Sequence, residues 1–125
     1  MRLLITAIAT TIALSTSVYA DPELPAVGKI QFDLDQLDES GLYGLDGGKR
    51  SLSYEFCVPN DLHTIRTVQD IDPTVIIYLQ SPGRIGCSSL EVLAIGETYQ
   101  PNYRDVLTTL ASLEAIESIE QFWGE

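Results

Sequence analysis

Between Ser51 and Val58 apolar and polar residues alternate: Leu52, Tyr54, Phe56 and Val58 against Ser51, Ser53, Glu55 and Cys57. That period of two predicts a half-buried strand, and Pro59 ends it. Asn60 or Asp61 supplies a helix cap, after which Leu62, Ile65, Val68 and Ile71 recur at spacings of three. The spacing predicts a short amphipathic helix that Pro73 terminates. Val75 to Leu79 reads as a strongly apolar strand broken by Ser81-Pro82-Gly83, and Leu90 to Ile95 as a third strand before Gly96. Further on, Val106, Leu107, Leu110 and Leu113 share one helical face, whereas Ile116, Ile119 and Trp123 fall on another. One straight helix cannot bury both sets. The pattern resolves as a helix over 102–113, a turn, and a strand over 116–123, with one helix to the chain end as the alternative.

The resulting order, strand, helix, strand, strand, helix, strand, is that of a ferredoxin-like α+β domain, the split βαβ pattern. It occupies residues 50–125. Before it, residues 21–49 form an arm rich in Gly, Pro and acid, with a short alternating stretch at 29–34 that reads as one strand. In the split βαβ topology the first and third strands are central antiparallel neighbours, and the end of one lies beside the start of the other. Cys57 and Cys87 occupy those places, both on the more polar face. Directly opposed residues on such strands sit about 4.5–5.5 Å apart at Cα, within disulfide range, so the two are expected to be bonded. The closed loop of about 30 residues is worth about 3.5–4 kcal/mol on the loop-entropy argument.

Residues 1–20 change the reading of compartment. Arg2, an apolar stretch from Leu3 to Leu14 and Val18-Tyr19-Ala20 have the build of a secretory signal peptide cut after Ala20. The stretch is interrupted by Thr6, Thr10 and Thr11 and is short for a membrane anchor. The product is expected outside the cytoplasm, in a periplasm, a thylakoid lumen or the medium, with no stable membrane insertion after cleavage. The whole chain carries 7 basic and 18 acidic residues, a net charge of −11, and cleavage removes one further positive charge with Arg2. So acidic a surface repels phosphate backbones and anionic headgroups, which disfavours nucleic acid and membrane as partners.

Motifs for chemistry are few. About 30 residues between the cysteines is no Cys-x-x-Cys redox pair. The one histidine, His63, falls in the first turn of the predicted helix beside Asp61 and lacks a Gly-x-Ser-x-Gly partner motif. Glu114, Glu117 and Glu120 read as a solvated face. No catalytic set and no cofactor motif emerges, and the protein is expected to be no enzyme. Asp33, Asp35, Asp38 and Glu39 cluster as calcium ligands would, but out of EF-hand register, which leaves weak calcium binding as an alternative. The run ending Gly48-Lys49-Arg50-Ser51 misses the P-loop spacing.

Ser81-Pro82-Gly83-Arg84-Ile85-Gly86-Cys87 stands out because it presents an isolated Arg on a disulfide-tethered loop in an acidic protein. Arg84 followed by Ile85 resembles the reactive loop of trypsin-type serine-protease inhibitors. The pair Leu110-x-x-Leu113 and Ile116-x-x-Ile119-Glu120 is similar to the end of ferredoxin-like protease propeptides and inhibitors. The strings Tyr54-Glu-Phe-Cys-Val-Pro59 and Ser81-Pro-Gly-Arg-Ile-Gly-Cys87 resemble small exported cyanobacterial proteins of unknown function, which implies an envelope setting and no catalytic residues. The expectation is a binding or accessory module that meets a protein partner in the envelope. Its expected contact surface is Arg84 and Ile85 together with Tyr43, Lys49 and Arg50 of the Gly-rich arm. Inhibition of a serine protease through Arg84-Ile85 is the alternative.

Overall fold

Four antiparallel strands lie side by side with two helices packed on one face of the sheet in the computed structural model, which describes residues 26–124. The leader expected at 1–20 and the first residues of the arm lie outside that range. In chain order, β1 (Leu42–Tyr43) and β2 (Arg50–Ser51) form a two-residue ribbon, followed by β3 (Ser53–Pro59), α1 (Leu62–Ile71), β4 (Ile76–Tyr78), β5 (Glu91–Glu97), α2 (Tyr103–Ser112) and β6 (Glu120–Gln121). The sheet order is β4-β5-β3-β6, with every pairing antiparallel. The mixed α+β class read from the periodicity is therefore present.

The alternation in β3 decides which side the helices cover. Leu52, Tyr54, Phe56 and Val58 are buried beneath Val68 of α1 and Leu107, Leu110 and Ala111 of α2, with Val92 and Ala94 of β5 beside them. Each Leu, Val or Phe side chain among them contributes about 1.5–3 kcal/mol on withdrawal from water. Asp61 begins α1, its carboxylate accepting from the backbone N–H of Thr64 at 2.8 Å, as an N-cap should. The helix α2 stops at Ser112, and Leu113 leaves it in extended conformation. Ile116 and Ile119 are both fully buried, the N–H of Ile116 donating to Leu113 O in a turn and that of Ile119 to Lys29 O across a bridge to the arm. A continuous terminal helix is thus excluded, and the expected strand over 116–123 shrinks to the two residues of β6.

The stretch at 29–34 is not a strand. It makes a single parallel bridge, Ile30 to Ile119, and then enters a 3-10 turn at Leu34–Gln36 capped by Asp33. The arm nonetheless belongs to the core. Ala26 and Leu37 are buried in it, and Phe32 stacks on Tyr54 with ring centroids 6.2 Å apart. Tyr103 Oη donates to Asp38 O at 2.8 Å, and Thr98 Oγ1 donates to Gly41 O at 2.6 Å. A Cβ on Gly41 would fall 2.0 Å from Thr98 O, and its φ is +81°, so only glycine lets the arm come this close. All these contacts lie on the helix side. Among the described residues, the opposite face of the sheet is met by another segment.

Candidate functional site

That other segment is the connection between β4 and β5. Pro82 O accepts from the N–H groups of both Gly86 (3.1 Å) and Cys87 (2.8 Å), which curls residues 82–87 into consecutive turns across the uncovered face. The Cys57–Cys87 disulfide pins the curl to β3, with 5.4 Å between the Cα atoms. The bond is as expected but its geometry is not. Cys57 stands opposite Leu93 in the register, not opposite Cys87. β5 starts only at Glu91, because Glu91 N–H turns back to Ser88 O while Glu91 Oε1 accepts from Ser88 N–H at 2.8 Å. Cys87 therefore reaches β3 from a loop laid over the sheet.

Beneath the loop lies Glu55. It is 1 % exposed, and its Oε1 has no hydrogen-bond partner among the described residues. Burial raises the carboxyl pKa above its ordinary value, and the like charge of Glu120, its cross-strand neighbour on β6, adds to the rise. Backbone N–H groups of Ile85 and Arg84 and the Arg84 charge act in the opposite direction. Gly83 closes the lid. At φ +68° a Cβ there would meet Glu55 Oε1 at 2.5 Å and Leu93 Cδ1 at 2.8 Å. The sequence placed Glu55 on the polar face by parity, but nothing in it signalled that a loop would cover that face. Arg84 itself is exposed and Ile85 half-buried.

The other three contact residues expected from the sequence lie on the ribbon. Tyr43 pairs with Arg50 across β1 and β2, and both line a concavity of about 440 Å³ with Ser51, Leu52, Ser53, Gln121, Phe122 and Trp123. Lys49 is occupied, with Nζ 2.9 Å from Asp38 Oδ2 and 3.9 Å from Asp46. Among the described residues no hydrogen bond or ion pair joins this ribbon to Arg84 and Ile85. Trp123, 65 % exposed on the wall of the concavity, was read from the sequence only as a strand residue.

The acids proposed for calcium do not converge. Asp33 caps the 3-10 turn, and Asp35 faces Arg104 at 3.7 Å. Asp38 accepts from the N–H groups of Ser40 and Leu42 as well as from Lys49, contacts that hold its carboxyl below the usual range. Among the described residues the ligand atoms of Cys57, Cys87 and Glu91 do gather within 4.8 Å, but both sulfurs are committed to the disulfide and offer no thiolate. Glu91, Glu117 and Glu120 line a smaller cavity of about 150 Å³ beside Ile85. His63 is exposed on α1.

A buried polar network went unread in the sequence. Tyr54 Oη donates to Asp72 Oδ2, Thr74 Oγ1 donates to Asp72 Oδ1 at 2.6 Å, and Gln100 Nε2 donates to Asp72 Oδ1 at 3.0 Å. Burial and the Asp72 charge push the Tyr54 hydroxyl far above its ordinary pKa. Asp72, wholly buried, has donors for both oxygens, and Thr74 Oγ1 accepts from the N–H of Glu97 at 3.0 Å, so the network ties the end of α1 to β3 and β5 as a structural joint. Comparison of the chain with family models, curated proteins and solved structures finds no match. Among the described residues no helix is long and apolar enough to cross a membrane.

Proposed function

We propose that this protein is an exported, non-enzymatic binding or accessory module on a ferredoxin-like domain, and that it meets a protein partner in the cell envelope through Arg84 and Ile85. The sheet order β4-β5-β3-β6 beneath two helices supports the ferredoxin-like reading. A disulfide supports an oxidising compartment. The observation that carries the binding role is the clamp on the loop. Its two glycines would leave an untethered loop floppy. Here Gly83 fits over Glu55, Gly86 bonds back to Pro82, and Cys87 is covalently fixed. An exposed Arg on a loop so held loses little conformational freedom on binding, which is what preorganised recognition requires.

The test is affinity capture from envelope extract with oxidised protein as bait beside its Arg84→Ala variant. A partner retained by the parent and lost by the variant is the expected result, and identical capture by both removes the loop from the reading. The same clamp favours a second reading, inhibition of a trypsin-type protease at Arg84-Ile85. A protease among the captured proteins, and slowed trypsin with the loop left intact, would support that one.

A further inference from the structure

The β4–β5 loop keeps its shape by itself but not its place. Among the described residues, the backbone–backbone hydrogen bonds of residues 82–87 all close within the loop: Gly86 and Cys87 N–H to Pro82 O, and Gly86 N–H also to Gly83 O at 3.3 Å. Gly83 N–H donates to Ser81 Oγ, again within it, at 3.3 Å. The covalent tie to β3 is the Cys57–Cys87 disulfide. Beneath the curl, Glu55 Oε1 is buried with no partner among the described residues, an arrangement that water relieves once the curl lifts. The disulfide therefore holds the loop down against the hydration of a carboxyl group. Both cysteines are half-buried, and each lines its own concavity, Cys57 the one of about 150 Å³ beside Ile85 and Cys87 one of about 250 Å³ with Leu79, Pro82 and Ser88. Among the described residues, each concavity gives a small dithiol an approach to the bond.

We propose that the Cys57–Cys87 bond is a redox latch: a dithiol reduces it, residues 81–87 lift from β3 and the Glu55 carboxyl opens to water, and the reverse exchange with the oxidised dithiol closes the lid again. A thiolate of the dithiol attacks one protein sulfur, giving a mixed disulfide and a protein thiolate that takes up a proton. The second thiol of the reductant then displaces the remaining protein sulfur. One S–S bond is broken in the protein and one formed in the reductant, and two electrons and two protons pass to the cysteines. The closed and open lids differ in proton affinity at Glu55. Closed, burial and the like charge of Glu120 on β6 favour the protonated carboxyl, against the Arg84 charge and the N–H groups of Ile85 and Arg84 on the loop. From β5, Ile95 stands opposite Glu55 and Leu93 beside it beneath Gly83, neither of them charged. Open, hydration favours the carboxylate. Reduction is thus linked to proton release from Glu55, and each promotes the other.

The test is a carboxyl-carbon NMR titration of the isotope-labelled protein over about pH 4–8, first oxidised and then reduced with dithiothreitol. In the oxidised protein the Glu55 midpoint should lie above 4.5, and on reduction it should return to that value while the amide resonances of β3 and β5 keep their native dispersion. Exchange with oxidised dithiothreitol should restore the first midpoint. Three results overturn the proposal. A midpoint that reduction leaves unchanged separates Glu55 from the latch. A bond that dithiothreitol leaves intact in the folded protein denies that there is one. A reduced protein whose β3 and β5 resonances collapse makes the disulfide a staple of the whole domain and not the catch of a lid.

Discussion

Glu55 is the residue at which burial and chemistry conflict most. A carboxylate taken from water costs free energy unless its oxygens are hydrogen-bonded, and among the described residues Oε1 of Glu55 has no partner. Its pKa in the folded chain is raised, so the folded state binds this proton more tightly than the unfolded chain does. The stability contributed by the protonated form is complete below the ordinary value of 4.5 and is lost as pH rises through the folded value. Titratable and charged neighbours set the slope: Glu120 steepens the loss, and Arg84 opposes it. In Glu55→Gln that descending limb should be flattened, with a melting temperature above pH 6 no lower than the parent's. Thermal melts across about pH 4–8 measure it, and parallel curves for the two proteins would remove Glu55 as the source. Parity alone put Glu55 and Cys57 on one face. That the face is covered at Glu55 was invisible, because the cover comes from residues some 30 positions further along the chain.

At the scale of elements, the loop over residues 81–87 and β3 depend on each other through the disulfide. Replacing both cysteines by serine should cost about 2–4 kcal/mol of stability, and it should release the curl from the sheet. The second effect is separable from the first. Trypsin added at a temperature well below both melting transitions should cut after Arg84 much faster in the Cys57→Ser/Cys87→Ser protein than in the oxidised parent. Equal rates would mean that the turns at Pro82 and the fit of Gly83 hold the loop unaided. The helices were legible in the sequence because their limits are chemical: Asp61 caps α1, and Pro73 lies just past its end. β6 was legible only as an apolar stretch incompatible with the preceding helical face. Its length of two residues depends on the turn at Leu113 and the bridge to the Lys29–Ile30 segment, which hold Ile116 and Ile119 in the core. The stretch at 29–34 alternates like a strand, yet Lys29 donates to Leu113 O and Phe32 lies on Tyr54, contacts with distant segments that local periodicity does not encode.

For the molecule as a whole, 18 acidic residues against 7 basic ones impose a self-repulsion that compaction increases. The three ion pairs found among the described residues, Lys49 with Asp38 and Asp46 and Arg104 with Asp35, leave most of that charge uncompensated. Added NaCl should therefore raise the melting temperature steadily up to about 0.5 M, where screening is nearly complete; a melting temperature that falls or stays level would show that the repulsion is too dispersed to matter. What the sequence determined by itself was the local order: an alternating strand, a capped helix, an apolar strand, a third strand, a second helix, and two cysteines near enough to bond. Each element follows from residues a few positions apart, and the cysteine pairing, 30 positions apart, from the order of those elements. Only the tertiary structure decided that residues 26–43 pack on the helix side, that the β4–β5 loop covers Glu55, and that Tyr54, Asp72 and Gln100 join in one buried network. These depend on which surfaces remain to be buried once the sheet has formed, and that is a property of the assembled chain, not of any one segment.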